Sequence, residues 1–121
     1  MPHELTIKQD KKMIHLAYSG EVVFDERLQA RDAVFQACDE TGFVRVLVDM
    51  RESNIQMSER DVIRFATGFQ QAKQMQGYRL ACVIGPHNQT ENLLETMITL
   101  EGINVKYFMS YDDAFSWLVA V

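Results

Sequence analysis

Three histidines are the candidate catalytic bases of this chain, because activating a nucleophile requires a base within reach and a group that orients that base. His3 lies near the start of the chain, and His15 alternates with apolar residues, which predicts that it faces solvent. His87 follows a predicted buried strand, where α/β sheets bind ligands, but one histidine there is more typical of a loop. The sequence lacks the glycine patterns of phosphate loops, dinucleotide sites and nucleophile elbows. We therefore predict that the protein is not an enzyme.

Residue types that ligate metals are present but lack the paired spacing of a metal site. They lie on different predicted elements: Asp10, His15, Asp25 and Glu26. Asp112 and Asp113 form an acidic pair at a predicted helix start, where the helix dipole favours negative charge. Cys38 and Cys82 fall within apolar patterns, which indicates buried thiols in a reducing compartment. The sequence predicts no metal, no cofactor and a cytoplasmic location.

A mixture of apolar and polar residues follows the predicted parallel strands, at the edge where open α/β sheets bind ligands. Methionines adapt to irregular apolar surfaces, and helix N-termini accept anions. We predict a cleft there for an anionic amphiphile or lipid, whose head group Arg51 binds through two hydrogen bonds. The alternative is that the methionines only fill the end of the core. The predicted ligand-binding residues are Asp49, Met50, Arg51, Met57, His87, Asn88, Phe108 and Met109.

The elements that must position these residues follow the order ββαβαβαβα. The predicted strands are 4–9, 13–19, 43–50, 79–85 and 103–108, and the predicted helices are 25–39, 58–76, one beginning near residue 88 and one beginning at residue 110. Helical crossovers imply parallel strands, and the first hairpin adds an antiparallel one. The prediction is one α/β domain over residues 1–121, with a five-stranded, mostly parallel mixed sheet and about four helices. The strands over 43–50 and 79–85 are nearly all apolar and should be central.

Three local features carry further predictions. Gly68 lies inside the predicted second helix, where it indicates close packing against a bulky neighbour or, alternatively, a gap beside a ligand or a bend that moves. The polar segment 52–57 is predicted to be a mobile lid over the cleft. Phe115 and Trp117 are two residues apart on one helix, so we expect one to pack on the sheet and the other to form a contact patch for a second copy or a partner.

Composition limits the classes of partner. The chain has 121 residues, 47 % apolar and 24 % charged, and a net charge of -5. The densest basic cluster is the pair Lys11-Lys12, which disfavours nucleic acid. No apolar run is long enough to span a bilayer, and residues 1–4 show no signal peptide. We expect a small amphiphilic ligand or a membrane surface as partner, with a protein partner or a homodimer as alternatives.

The element order and two segments resemble the STAS superfamily, and most closely its SpoIIAA-like branch. The segments are Val46–Arg51, which ends a strand, and Tyr107–Leu118, which closes the chain. The resemblance covers nearly the whole chain and implies a non-enzymatic module. The superfamily includes anti-sigma-factor antagonists, which a partner kinase phosphorylates on a serine at the start of the helix after the third strand. SpoIIAA-like proteins also resemble lipid-binding CRAL-TRIO proteins in fold, which implies an apolar ligand or a membrane surface.

Ser58 occupies the position of the phosphorylated serine, but its surroundings differ from those of the antagonists. They carry an Asp-Ser-Ser-Gly-like stretch, whereas residues 56–60 here are Gln-Met-Ser-Glu-Arg. We therefore predict that Ser58 is a helix N-cap before it is a phosphosite. The leading prediction is a regulatory or ligand-binding domain for an anionic amphiphile. The alternative is a protein–protein interaction module of the anti-sigma-factor-antagonist type.

Overall fold

A computed structural model describes residues 2–55, 57–86 and 91–120. The strands are His3–Lys8 (β1), Met13–Val22 (β2), Arg45–Ile55 (β3), Arg79–Val83 (β4) and Val105–Phe108 (β5). The helices are Phe24–Thr41 (α1), Glu59–Thr67 (α2), Gln70–Lys73 (α3), Glu91–Leu100 (α4) and Tyr111–Val119 (α5). The predicted α/β fold and its element order are confirmed, with α3 as an additional single turn.

The five strands form one mixed sheet in the spatial order β1-β2-β3-β4-β5. β1 pairs antiparallel with β2, and the other three pairs of neighbouring strands are parallel. The prediction that the third and fourth strands are central is therefore confirmed. Helices α1, α2, α3 and α4 pack on one face of this sheet, and α5 packs on the other.

Side-chain alternation along the strands divides the core into two parts. Val46, Val48 and Met50 of β3 point toward α1, α2 and α4, while Leu47 points toward α5. The core under α1, α2 and α4 holds most of the buried side chains. The smaller core under α5 consists of Met13, Leu47, Ala81, Val83, Ala114 and Leu118.

β3 is longer than predicted, and this overturns the lid. Residues 52–55 continue the strand and pair with residues 19–22 of β2, so the segment predicted as a mobile loop is mostly part of the sheet. Its polar residues suggested a loop, but Ser53 and Ile55 are buried. The pairing passes from Ala17–Asp49 to Ser19–Glu52, so two residues of β3 (50 and 51) oppose one residue of β2 (18). This β-bulge shifts the strand and breaks the simple alternation that sequence patterns detect.

The predicted long second helix is divided at Gly68. α2 ends there, and α3 begins two residues later. A Cβ on Gly68 would lie 2.1 Å from Nη1 of Arg31. Gly68 thus leaves the space that the Arg31 guanidinium occupies, which confirms the prediction of close packing against a bulky neighbour.

We expected one of Phe115 and Trp117 to pack on the sheet and the other to form a contact patch, but the two side chains have similar surroundings. Both are half-buried and pack against the smaller core. Lys11 Nζ lies 5.5 Å from the centre of the Phe115 ring, and the Arg79 guanidinium lies 5.5 Å from the Trp117 ring. Both rings are therefore contacted by cations of the same chain.

Candidate functional site

The structure does not bring the predicted ligand-binding residues into one cleft. Met50 and Met57 are buried on the side of α1, α2 and α4. Asp49, Arg51 and Phe108 lie on the opposite side, next to α5. Met109 is 73 % exposed, and the predicted contacts at His87 and Asn88 lie outside the described residues. The sheet itself separates the two groups, because neighbouring residues of a strand point to opposite faces.

Arg51 is engaged by a carboxylate of its own strand. Its Nε and Nη2 donate to Oδ1 and Oδ2 of Asp49 at 2.9 and 2.7 Å, and its guanidinium lies 5.4 Å from the ring of Tyr111. Burial alone would raise the pKa of Asp49, but the hydrogen bonds from Arg51 lower it below its usual value. The two-pronged hydrogen bond predicted for a ligand head group is thus made within the chain, which contradicts Arg51 as a free anion clamp.

His15 lies at the edge of this group and is half-buried against Tyr111, with 6.0 Å between ring centres. Sequence alternation predicted a fully solvent-facing side chain. The open face of β2 is partly covered by the start of α5, which accounts for the difference. Burial and the positive charge of Lys8 lower the pKa of His15, against the opposing effect of Asp49.

The most unusual polar group is a buried ion pair on the other face. Arg27 of α1 and Glu91 of α4 are 3 % and 1 % exposed. Nη1 and Nη2 of Arg27 donate to the two carboxylate oxygens at 2.6 and 2.7 Å, and the Tyr107 hydroxyl donates to Oε1 at 3.0 Å. Burial disfavours the charged form of Arg27, but Glu91 outweighs it and raises the Arg27 pKa. The pair joins two helices across the top of the larger core.

A second arginine lies one helical turn further along α1. Nη1 of Arg31 donates to the carbonyl of Phe65 at 3.0 Å. The guanidinium groups of Arg27 and Arg31 lie 4.7 and 5.1 Å from the centre of the same Phe65 ring. Residues four apart on a helix share a face, so both arginines point between α1, α2 and the sheet.

A cavity of about 40 Å³ lies between these arginines and the sheet. Both arginines line it, and the other walls are aliphatic, aromatic and sulfur-bearing side chains. They are Leu16, Tyr18, Val34, Phe35, Val46, Val48, Met50, Phe65, Phe69, Tyr78, Leu80, Cys82, Ile98 and Tyr107. This volume has room for about three water molecules.

The titratable groups of the cavity wall, apart from the arginines, are uncharged at neutral pH. Burial raises the pKa of Tyr18 to about 12, and it raises the pKa values of Tyr78 and Tyr107 well above 10. Burial likewise raises the pKa of the Cys82 thiol. Each of these groups resists ionisation because the charged form would lose its hydration. The cavity is therefore suited to holding an apolar molecule, and Arg27 and Arg31 provide hydrogen-bond donors in its wall.

Sequence analysis missed Arg27, Arg31 and Glu91, although a signal was present. The buried positions of α1 include 27, 30, 34 and 38, and those of α4 are 91, 94 and 98. Both series follow helical spacing, so an arginine and a glutamate each occupy the buried stripe of a helix. Opposite charges on two buried stripes predict a pair between those helices.

Among the residues that the structure describes, no three histidine, cysteine, aspartate or glutamate side chains come together in a group that would hold a metal ion. Within the same residues, no helix combines the length and the apolar character needed to cross a membrane.

Comparison with known proteins agrees with this architecture. A solved structure of an uncharacterized protein of the DUF3478 family from Shewanella loihica, described as having a SpoIIAA-like fold, matches with a TM-score of 0.60. The match covers 96 % of this chain and 93 % of that one at 13 % sequence identity, and so shows a shared fold. No curated protein matches the chain. The SpoIIAA-like family model matches residues 13–119, and the chain therefore belongs to the SpoIIAA-like family of the STAS superfamily.

Proposed function

We propose that this protein is a non-enzymatic regulatory domain that binds a small apolar molecule in the cavity between the sheet and helices α1 and α2. Membership of the SpoIIAA-like family fits a regulatory or interaction module. The observation that carries the finer proposal is the apolar cavity, into which two arginines also point. The Arg51–Asp49 pair does not support the amphiphile site predicted at the strand ends, whereas the apolar cavity supports a site in the interior.

Physical reasoning supports binding at this position. Protein interiors are close-packed, and unfilled volume destabilises a fold by about 24 cal/mol per Å³, or about 1 kcal/mol for a cavity of 40 Å³. A molecule that fills the space recovers these contacts. Met50 and Phe65 belong to the wall, and unbranched methionine side chains adapt to a guest more readily than branched ones. A ligand of about three heavy atoms fills the present volume, and a longer one such as hexan-1-ol requires Met50 and Phe65 to shift.

Binding of hexan-1-ol tests this proposal, because the alcohol is apolar, uncharged and soluble. We expect Val34→Phe, which fills the cavity from α1, to weaken hexan-1-ol binding at least about tenfold in a calorimetric or NMR titration. Ile63→Phe is the matched control, since Ile63 is 49 % exposed on α2 and does not line the cavity. Circular dichroism verifies that both variants fold. Failure of the wild type to bind either hexan-1-ol or its carboxylate analogue hexanoate, or equal binding by Val34→Phe, would contradict the proposal.

A second candidate function is the interaction module of the anti-sigma-factor-antagonist type. Ser58 is exposed at the start of α2, where a kinase would reach its hydroxyl. If the candidate holds, intact-protein mass spectrometry of the chain isolated from its native host shows one phosphate, and Ser58→Ala removes it. An unmodified Ser58 under conditions where the host's other regulatory phosphoproteins are modified argues against this candidate.

A further inference from the structure

We propose that the molecule bound in the cavity is a monocarboxylic acid with an apolar tail, and that the Nε–H groups of Arg27 and Arg31 bind its carboxylate. This inference rests on the proposed function and adds the chemical class of the ligand. It assigns the two arginines as the end of the site that recognises the head group. The carboxylate would lie against α1, and the tail would lie along the sheet.

The first observation is a pair of unsatisfied hydrogen-bond donors. Among the residues that the structure describes, neither Nε of Arg27 nor Nε of Arg31 has a hydrogen-bond partner, and both atoms are buried. Arg27 as a whole is only 3 % exposed. Leaving a buried donor unpaired destabilises the fold, and the cost is larger for a charged group. A ligand with acceptor atoms at this end of the cavity removes that cost.

The second observation is the charge of the cavity wall. Arg27 is neutralised by Glu91, but Arg31 has no comparable partner. Its nearest carboxylate is Asp32, which lies at 3.5 Å and is 71 % exposed, so solvent screens the interaction. The tyrosines of the wall are neutral, as argued above. The net charge of the wall and its ion pair is therefore one positive charge, which a singly charged anion compensates.

The third observation concerns the number of acceptors. An ionised carboxylate has two oxygens, which match one donor on each arginine, and charge-assisted hydrogen bonds are about twice as strong as neutral ones. An alcohol offers one oxygen without charge. A phosphate monoester carries nearly two negative charges and would leave one of them uncompensated in an apolar interior. The wall thus favours a monocarboxylate over both.

Hexanoate and hexan-1-ol are a matched pair for the test. We expect wild-type protein to bind hexanoate at least about tenfold more tightly than hexan-1-ol at pH 7, and Arg31→Met to remove most of this preference. Arg64→Met is the control, because Arg64 also stacks on an aromatic ring, that of Phe24, but does not line the cavity. A series from propionate to decanoate distinguishes a short-chain acid from a long-chain acyl ligand by the length at which affinity stops rising.

A second measurement on the unmodified protein covers the case in which Arg31→Met fails to fold. We expect hexanoate, but not hexan-1-ol, to shift the Nε–H resonances of Arg27 and Arg31 in ¹⁵N NMR spectra. Equal affinity for acid and alcohol without a shift of these resonances overturns the carboxylate inference and leaves the proposed function standing. Absence of binding by both probes overturns both.

Discussion

At the scale of single residues, the ion pair of Arg27 and Glu91 is the feature with the largest consequence for stability. Both side chains are almost fully buried, and the carboxylate receives three hydrogen bonds, two from Arg27 and one from Tyr107. The net contribution of a buried pair is small, because its formation removes two charges from water. Removing one partner of the pair destabilises the fold far more, because the remaining charge stays buried without compensation.

We predict that Glu91→Gln lowers the free energy of unfolding by about 3–5 kcal/mol, measured by urea denaturation. Glu101→Gln breaks the partly exposed pair with Lys73 and serves as the matched control, with an expected loss below about 1 kcal/mol. Replacing both partners, as in Arg27→Met with Glu91→Met, should restore part of the loss. An effect of Glu91→Gln as small as that of the control would contradict the pair's role.

Ser58 is confirmed as the N-cap of α2. Its Oγ accepts a hydrogen bond from the backbone N–H of Asp61 at 3.1 Å, and the Asp61 carboxylate accepts from the Ser58 N–H, which completes a capping box. We predict that Ser58→Ala costs about 1 kcal/mol and lowers the melting temperature by a few degrees. Ser116→Ala, on the exposed side of α5, should be neutral or slightly stabilising. Equal melting temperatures for the two variants would contradict a stabilising contribution of the Ser58 cap.

The lowered pKa of His15 predicts that the stability of the fold depends on pH. Its pKa is lowered in the folded state, so the unfolded chain takes up a proton first as the pH falls below 6.5. Stability should therefore decline as the pH falls from 7 toward 5, and His15→Gln should flatten this part of the curve. The carboxylate of Asp49, whose pKa is lowered from 3.8, affects stability only at lower pH. Identical curves for His15→Gln and the wild type between pH 7 and 5 would exclude this effect.

At the scale of elements, the contact between Gly68 and Arg31 couples α1 to the junction of α2 and α3. We predict that Gly68→Ala costs about 1–2 kcal/mol, because the new methyl group displaces the Arg31 guanidinium from the Phe65 carbonyl. In an Arg31→Met background the same change should cost less than about 0.5 kcal/mol, measured as a double-mutant cycle. Additive effects would show that the two residues act independently.

The elements themselves were largely predictable from sequence patterns. Apolar runs located β3 and β4, and the serine caps located α2 and α5. Two boundaries depended on contacts between distant parts of the chain. β3 continues through polar residues because β2 extends far enough to pair with them, and α2 ends at Gly68 because an arginine from α1 occupies the space of a side chain. Neither partner is adjacent in sequence, so local patterns could not show them.

At the scale of the whole molecule, the candidate site lies inside the larger of two cores. The expectation of a cleft at the strand ends followed from the general behaviour of parallel sheets. It failed for Arg51 because Asp49, two residues away on the same strand, already binds its guanidinium. The interior site was not predicted, because an arginine in a helical stripe is usually solvated, and the signal at Arg27 becomes decisive only with its buried partner Glu91 of α4.

The most direct measurement of the central claim is the position of bound hexanoate, determined from intermolecular nuclear Overhauser effects in methyl-labelled protein. We predict contacts from the hexanoate methyl group to the methyl groups of Leu16, Val34 and Ile98, all of which line the cavity. Contacts confined to exposed methyl groups such as those of Leu100 and Met109, which are 76 % and 73 % exposed, would contradict an interior site.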